Sequence, residues 1–339
     1  MPTSRSNKRI VAITLGDPGG IGPEVTLKAL KSPEIKRLSR RRGREVFFVL
    51  LGSPDIYKEN NVLTRSRLSF NILPHLDKKD LSHHRINILD LGDDTHEVII
   101  GKVAFANAAL SYHSLEVGAY LAMNQVVDAL VTAPINKEAV QLISHTFIGH
   151  TEYLARLTQV KRHAMLLQGD RLRVVLVTTH IPLHRVSSVI TGKNIFSKIE
   201  LTYAFLKKKI KIRNPVIGVA ALNPHAGEGG KIGKEEIEII IPAIKKAQRL
   251  GIAVEGPIPA DVIFHSAFAG TYDAVVVMYH DQGLGPLKMI AFHTGVNVTL
   301  NLPFVRTSPD HGTAFNIAYQ NKANPGSMIA AIKTAIDLM

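Results

Sequence analysis

Cysteine is absent from the 339 residues. Disulfides, thiolate nucleophiles and zinc ribbons are thereby excluded, and any metal has to be held by His, Asp or Glu. Tryptophan is absent as well, and aromatic residues make up only 6% of the chain. A single-strand nucleic-acid platform of stacked aromatics therefore has little to build with. No apolar run approaches the roughly 20 residues that a membrane-spanning helix needs. The apolar stretch at 10–15 also falls short of the roughly 7–15 residues of a signal-peptide core, so the cytoplasm is the expected location. Neither GxGxxG nor GxxxxGK(S/T) occurs, which removes the two commonest phosphate-loop signatures.

Acidic residues are the scarcer sign. There are 28 against 41 Lys and Arg, a net charge of +13. The surplus is local. Residues 1–44 hold 11 basic and 3 acidic side chains, including Arg40, Arg41, Arg42 and Arg44, and residues 193–213 hold 7 and 1. The remainder of the chain is close to neutral. In the second patch Ile195, Ile199, Leu206 and Ile210 recur at helical spacing, which leaves Lys198, Lys207, Lys209 and Lys211 mostly outward. A solvated helix face is the expectation, and no nucleic-acid or membrane partner is implied.

Short apolar, β-branched runs alternate with amphipathic stretches. Strands are expected near 9–15, 46–51, 129–133, 173–179, 216–222, 274–279 and 296–300, and helices near 23–31, 102–125, 137–143, 194–212 and 234–250. Several strand runs are apolar throughout, as happens when helices cover both faces of a sheet. The alternation predicts an α/β protein with largely parallel sheets.

In such sheets ligands gather beyond the carboxyl ends of the strands. Three of the runs end in histidine, at His180, His225 and His280. Two readings stand level: three imidazole ligands to a divalent metal, or three loop histidines bonded to backbone. Asp281 follows His280, and Asp261 sits in GPIPAD. Each suits an imidazole-orienting partner or a general base, and Asp261 equally suits a helix N-cap. GDPGGIGPE at 16–24 follows a strand and precedes a helix that begins at Pro23. It reads as a phosphate-binding loop or as a tight turn. GHTE at 149–152 places His150 and Thr151 at a helix start, where free N–H groups favour an anion. Lys288, Asn297 and Arg306 follow His280; the lysine and arginine lie outside the basic patches and suit a small anionic substrate.

These residues also carry a resemblance. ITLGDPGGIGPEV, DALVTAPINKEAV, FIGHTEYLA, VTTHIPL, LNPHAGEGGKIGKEE, GPIPAD, YHDQGLGPLKMIAF and GVNVTLNLPFVRTSPDHGTAFNIA occur in order from about residue 10 to 320. Together they resemble the 4-hydroxythreonine-4-phosphate dehydrogenase family, and more distantly the isocitrate and isopropylmalate dehydrogenases. The resemblance implies two α/β/α domains with an interdomain cleft, isopropylmalate dehydrogenase-like rather than Rossmann, divided as 1–140 plus 290–339 and 141–289. It implies oxidation and decarboxylation of 4-phosphohydroxy-L-threonine in vitamin B6 biosynthesis, with NAD or NADP and one divalent metal (Zn, Mg or Co) per subunit. A related phosphorylated four-carbon acid, such as a phosphothreonate or phosphoerythronate, is the alternative substrate. Residue by residue, the metal ligands become His180, His225 and His280. His150, Thr151, Lys288, Asn297 and Arg306 become substrate-binding, and Lys288 and Asp281 the candidate catalytic bases. His311 and Asn324, in and near the Asp310–His311–Gly312 loop, become cofactor-binding. The site is completed by the partner of a homodimer, with metal ligands drawn from both chains. At Asn316 and Tyr319 the chain departs from the family pattern of Asp and Gly.

Overall fold

The structure is a computed structural model that describes residues 8–39, 45–92 and 97–339. The Arg40, Arg41, Arg42 and Arg44 cluster lies outside the described residues. Among those described, the strands are β1 (Lys8–Thr14), β2 (Glu45–Leu51), β3 (Phe70–Leu73), β4 (Ile86–Leu89), β5 (Ala129–Val131), β6 (Ala164–Gly169), β7 (Leu172–Leu176), β8 (Ile217–Ala220), β9 (Val254–Ile258), β10 (Ala274–Val277), β11 (Val296–Leu300) and β12 (Val305–Pro309). All seven expected strands form. The chain divides into two compact units, Met1–Gln159 with Leu302–Met339, and Val160–Asn301.

In the first unit the strand order is β3-β4-β2-β1-β5-β12, and every pairing is parallel. Val11 lies opposite both Phe48 and Ala129. Ile10, Ala12, Phe47, Val49, Leu51 and Leu130 form the core of this unit, each larger side chain contributing about 1.5–3 kcal/mol by leaving water. The helix Phe105–Met123 packs close against the sheet. A Cβ at its Gly118 would stand 2.8 Å from the Leu130 side chain. Its Ser114 hydroxyl accepts from Leu15 N–H at 2.9 Å and donates to Leu51 C=O at 3.0 Å, tying two strand ends to one helix. The short helix His150–Leu157 belongs to this unit because Phe147, Tyr153 and Leu154 join its core. The unit therefore continues to residue 159, beyond the 140 expected from sequence.

In the second unit the order is β11-β6-β7-β10-β8-β9. β7, β10, β8 and β9 run parallel. β6 is antiparallel to both neighbours, a departure from the expected parallel pattern. The cause is a hairpin: Gly169 pairs with Leu172 across Asp170 and Arg171, and Asp170 takes φ +50°, the left-handed conformation that two-residue hairpin turns require. The Lys-rich helix expected over 194–212 is an α-helix only over Gly192–Phe205, followed by a π turn at Leu206–Ile210. Ile195, Ile199 and Leu206 are buried, and Lys207, Lys208, Lys209 and Lys211 are exposed. Lys198 differs from expectation. It is half-buried and donates to His163 C=O at 2.5 Å.

Candidate functional site

In the second unit the three strand-end histidines leave the same edge of the sheet, because β7, β10 and β8 are parallel neighbours. His180 and His280 come together, with ring centroids 5.7 Å apart. The strand ends beneath them are strapped by Val177 N–H to Val277 C=O at 2.9 Å and by the Thr178 hydroxyl to Met278 C=O at 2.7 Å. His225 leaves on its own exposed loop. Among the described residues no three His, Asp or Glu side chains of one chain form a group that could hold a metal ion.

His280 opens the helix His280–Ala291, and its Nδ1 is 2.7 Å from Asp281 Oδ1. The donor chemistry suits a divalent metal. An imidazole whose Nδ1–H is given to a carboxylate keeps its lone pair on Nε2, and the carboxylate raises its basicity. Asp281 and Lys288 are seven residues apart on this helix and so share one face, about 10 Å apart along its axis. The Asp281 side chain is 90% exposed. Asn297 on β11 is half-buried, and its Oδ1 is buried without a hydrogen-bond partner, an acceptor held ready for a donor. Asp261 lies in the first turn of the helix Ala260–Phe268, exposed, with Pro259 at the N-cap position. The N-cap expected there is therefore one the side chain does not provide.

Two buried side chains that the sequence did not single out arrange this edge. Gln282 accepts from Met278 N–H at 2.7 Å and donates to Ala221 C=O at 2.6 Å, bridging the ends of β10 and β8. Glu236, 1% exposed, accepts from Leu222 N–H at 2.8 Å, from Asn223 N–H at 2.7 Å and from Asn223 Nδ2 at 2.9 Å. It stands at the first residue of a π turn, Glu236–Ile240. Beyond Asn223 the chain makes a left-handed turn, with φ of +51°, +52°, +75°, +44° and +67° from His225 to Gly229. A left-handed conformation costs an L-residue about 1–2 kcal/mol, and His225, Ala226 and Glu228 all adopt it.

The first unit holds the anion-binding candidates. Arg306 on β12 is 2% exposed and donates through Nη2 to Thr132 Oγ1 at 2.6 Å. Burial lowers its pKa to about 10, opposed by Glu152. His150 and the buried Thr151 begin the helix His150–Leu157 after the extended Gly149. His150 Nε2 is buried and has no hydrogen-bond partner. Burial, with the charges of Arg306 and Lys137, holds this imidazole well below its ordinary pKa, so it is neutral at physiological pH. Lys137 Nζ lies near Gly149, 3.6 Å from where a Cβ would stand. Arg306 and Lys137 are thus near enough to act on His150 at the helix start, a set of groups whose chemistry suits a phosphate. Lys137 was missed because it reads as an ordinary residue of an amphipathic helix.

The GDPGGIG segment is a packed turn and not an open cradle. Gly16 to Gly22 are all buried. A Cβ at Gly19 would stand 2.2 Å from Ile99 O, and one at Gly20 would stand 2.8 Å from Thr313 O. Ile21 N–H donates to Thr313 C=O at 3.0 Å, so the segment supports the loop carrying His311. On that loop Gly312 is exposed, and nothing lies within 4 Å of where a Cβ would stand, which lets a cofactor approach the backbone. Asn324 is exposed, and its Oδ1 accepts from Gly326 N–H at 2.8 Å. Glu24 accepts from Ala323 N–H at 2.8 Å and pairs with Lys28 at 2.7 Å, fixing the segment before Asn324. At Tyr319, where the family pattern has Gly, φ is +58°, and the phenol accepts from Asn60 Nδ2 at 3.3 Å.

Comparison with known proteins identifies the family. Residues 44–335 match the family described as pyridoxal phosphate biosynthetic protein PdxA. A 4-hydroxythreonine-4-phosphate dehydrogenase of Desulforapulum autotrophicum is 42% identical, over 97% of this chain and 95% of that one. A D-threonate 4-phosphate dehydrogenase of Pectobacterium atrosepticum is 40% identical, over 97% and 99%. The crystal structure of 4-hydroxythreonine-4-phosphate dehydrogenase from Klebsiella pneumoniae superposes with a TM-score of 0.84 at 38% identity, covering 97% of this chain and 99% of that one. Isocitrate dehydrogenase from Methylococcus capsulatus, 12% identical with a TM-score of 0.51 over 97% of this chain and 85% of that one, shows the shared fold. The α/β, isopropylmalate dehydrogenase-like architecture expected from the sequence is the one observed. On the family match and these identities, the chain belongs to the PdxA family and is an enzyme, an oxidoreductase of the dehydrogenase kind.

Proposed function

We propose that the protein oxidises 4-phosphohydroxy-L-threonine at its 3-hydroxyl with NAD or NADP, and that the product then decarboxylates to 3-amino-2-oxopropyl phosphate, a step of pyridoxal phosphate biosynthesis in the cytoplasm. The observation that carries the phosphorylated substrate is the buried Arg306 beside neutral His150 at a helix N-terminus. Arg306, His150, Thr151 and Lys137 hold the phosphate. Lys288 and Asn297 are further substrate-binding residues, and Asn297 Oδ1 is an acceptor for a hydroxyl or ammonium group. His180, His225 and His280 would hold the divalent metal (Zn, Mg or Co), with His180 and His280 from one subunit and His225 from the partner of a homodimer. When bound, the metal supplies Lewis acidity to the reacting oxygen, and the nicotinamide accepts the hydride. Asp281, in contact with His280 and open to solvent, carries the hydroxyl proton away, with Lys288 the other candidate. His311 and Asn324 take the adenosine half of the cofactor.

The relative named D-threonate 4-phosphate dehydrogenase, almost as similar as the first, favours a second substrate. Reduction of NAD by the purified protein, followed separately with 4-phosphohydroxy-L-threonine and with D-threonate 4-phosphate, tests both. Higher kcat/KM on the first substrate supports the main reading. Higher kcat/KM on the second transfers the assignment to it, and turnover of neither overturns both.

A further inference from the structure

We infer that Glu236 is a positioning residue for the metal ligand His225, acting through Asn223 and the left-handed turn; this rests on the proposed role of His225. The carboxylate belongs to a different segment from the histidine. It is buried, and it takes the N–H groups of the two residues that precede Pro224 and His225, together with the Asn223 side chain. The Asn223 amide is gripped twice, since its Nδ2 also donates to Glu235 Oε2 at 2.8 Å. On the far side of His225 the same carboxylate meets Gly227, where a Cβ would stand 2.7 Å from Glu236 Oε2. Ile232 N–H closes the turn onto Gly227 C=O at 3.0 Å. His225 is thus bracketed, two residues before and two residues after, by contacts to one side chain. An exposed imidazole on a strained left-handed turn does not hold its direction unaided, because the surrounding structure must over-determine such a conformation. A buried carboxylate with three charge-assisted hydrogen bonds is a stiff support of that kind. Groups that orient metal ligands in this way typically change metal affinity about 10–100-fold when removed.

The test is titration of the metal-stripped, full-length protein with Co2+ alone, reading the dissociation constant and the visible Co2+ spectrum, alongside thermal unfolding of the metal-free protein. Glu236→Leu removes both acceptor oxygens, and with them all three hydrogen bonds, at similar volume and is expected to weaken Co2+ binding at least about tenfold and to alter the spectrum. Glu236→Gln keeps the acceptor for the two backbone N–H groups and should recover most of that loss. Gly227→Ala pushes the turn off the carboxylate without touching the acid, and should weaken Co2+ binding likewise. If Glu236→Leu fails to fold, Gly227→Ala decides. Wild-type Co2+ affinity and spectrum in the folded variants overturn the inference. His225→Ala separates the two claims. Unchanged Co2+ affinity in that variant refutes the metal role of His225 itself, whereas loss there with no effect of Glu236→Leu or Gly227→Ala refutes only the positioning role.

Discussion

Arg306 on β12 reaches beyond its own register partner, Leu130, to donate to the Thr132 hydroxyl at 2.6 Å, just past the end of the adjacent strand β5. Both residues are buried. A guanidinium this enclosed is tolerated because it is hydrogen-bonded and feels Glu152; in the proposed function a substrate anion completes its shell. Arg306→Lys keeps the charge and loses the fork geometry. It should raise KM for a phosphorylated substrate by about tenfold or more, from one lost charge-assisted bond of about 1.5–3 kcal/mol, with a smaller effect on kcat. Steady-state kinetics check this. An unchanged KM with a lowered melting temperature would make Arg306 purely structural.

Thr132→Val preserves shape and deletes the acceptor. A buried charged donor left without that partner costs about 1–3 kcal/mol, so the urea midpoint should fall. The loss should shrink when inorganic phosphate is present at saturating concentration, because phosphate supplies a replacement acceptor. A deficit unchanged by phosphate would separate this bond from the anion site.

His150 is held neutral by burial and by Arg306 and Lys137. Its folded pKa lies below the unfolded value near 6.5. As pH falls through 6.5 the unfolded chain gains a proton that the folded chain refuses, so stability is lost toward acid, at up to about 1.36 kcal/mol per pH unit. His150→Gln should flatten this dependence between pH 7.5 and 5. Unfolding free energies measured by urea titration across that range give the slope. An identical slope in the variant would show that His150 titrates normally.

The core strands and the histidine edge were legible because each histidine follows an apolar run, and apolar runs reveal strands buried on both faces. β12 was not, since Arg306, Thr307 and Ser308 are polar and yet buried. Their burial depends on partners such as Thr132 and Ala331 C=O, which pattern alone does not disclose. The edge strands β3 and β9 carry exposed or half-buried residues, and β4 is four residues long with a polar Asn87 buried in its middle. Glu236 and Gln282 escaped for a related reason. Their partners are backbone groups 13, 14 and 61 residues away, and a main-chain acceptor or donor leaves no mark on residue type. The glycine-rich turn was open to two readings, and the packed turn is the one observed. Its glycines answer to Ile99 and Thr313 packed against them, where sequence offered a phosphate as readily as a tight turn.

Lys207, Lys208 and Lys209 are exposed on the π turn, and Lys211 is exposed just after it. Replacing Lys207, Lys208 and Lys209 together by Gln should leave kcat within about twofold, because surface charges act through screened fields. Any fall in kcat/KM for an anionic substrate should vanish as ionic strength rises. A salt-independent loss of kcat would show that these lysines reach the chemistry.

Asp17, in the packed glycine turn, is fully buried and its Oδ2 has no hydrogen-bond partner. Burial outweighs the Gly19 N–H and Asn107 and raises its pKa from 3.8 to about 6. Between these two values the folded chain keeps a proton that the unfolded chain releases. Stability therefore declines as pH rises from about 4 to about 6, by at most about 3 kcal/mol for a displacement of this size. Above pH 6 the penalty is complete and constant. Asp17→Asn cannot ionise, and its amide oxygen still accepts from Gly19 N–H, so the variant should gain stability at pH 7.5 and little at pH 4. This trend opposes the one from His150, and the double variant Asp17→Asn/His150→Gln should have the flattest profile. Melting temperatures of the four proteins at pH 4, 5.5 and 7.5 give the answer. A variant at Asp17 that is less stable than the parent at pH 7.5 would mean that the carboxylate, ionised, is bonded more strongly in the folded protein than its geometry allows.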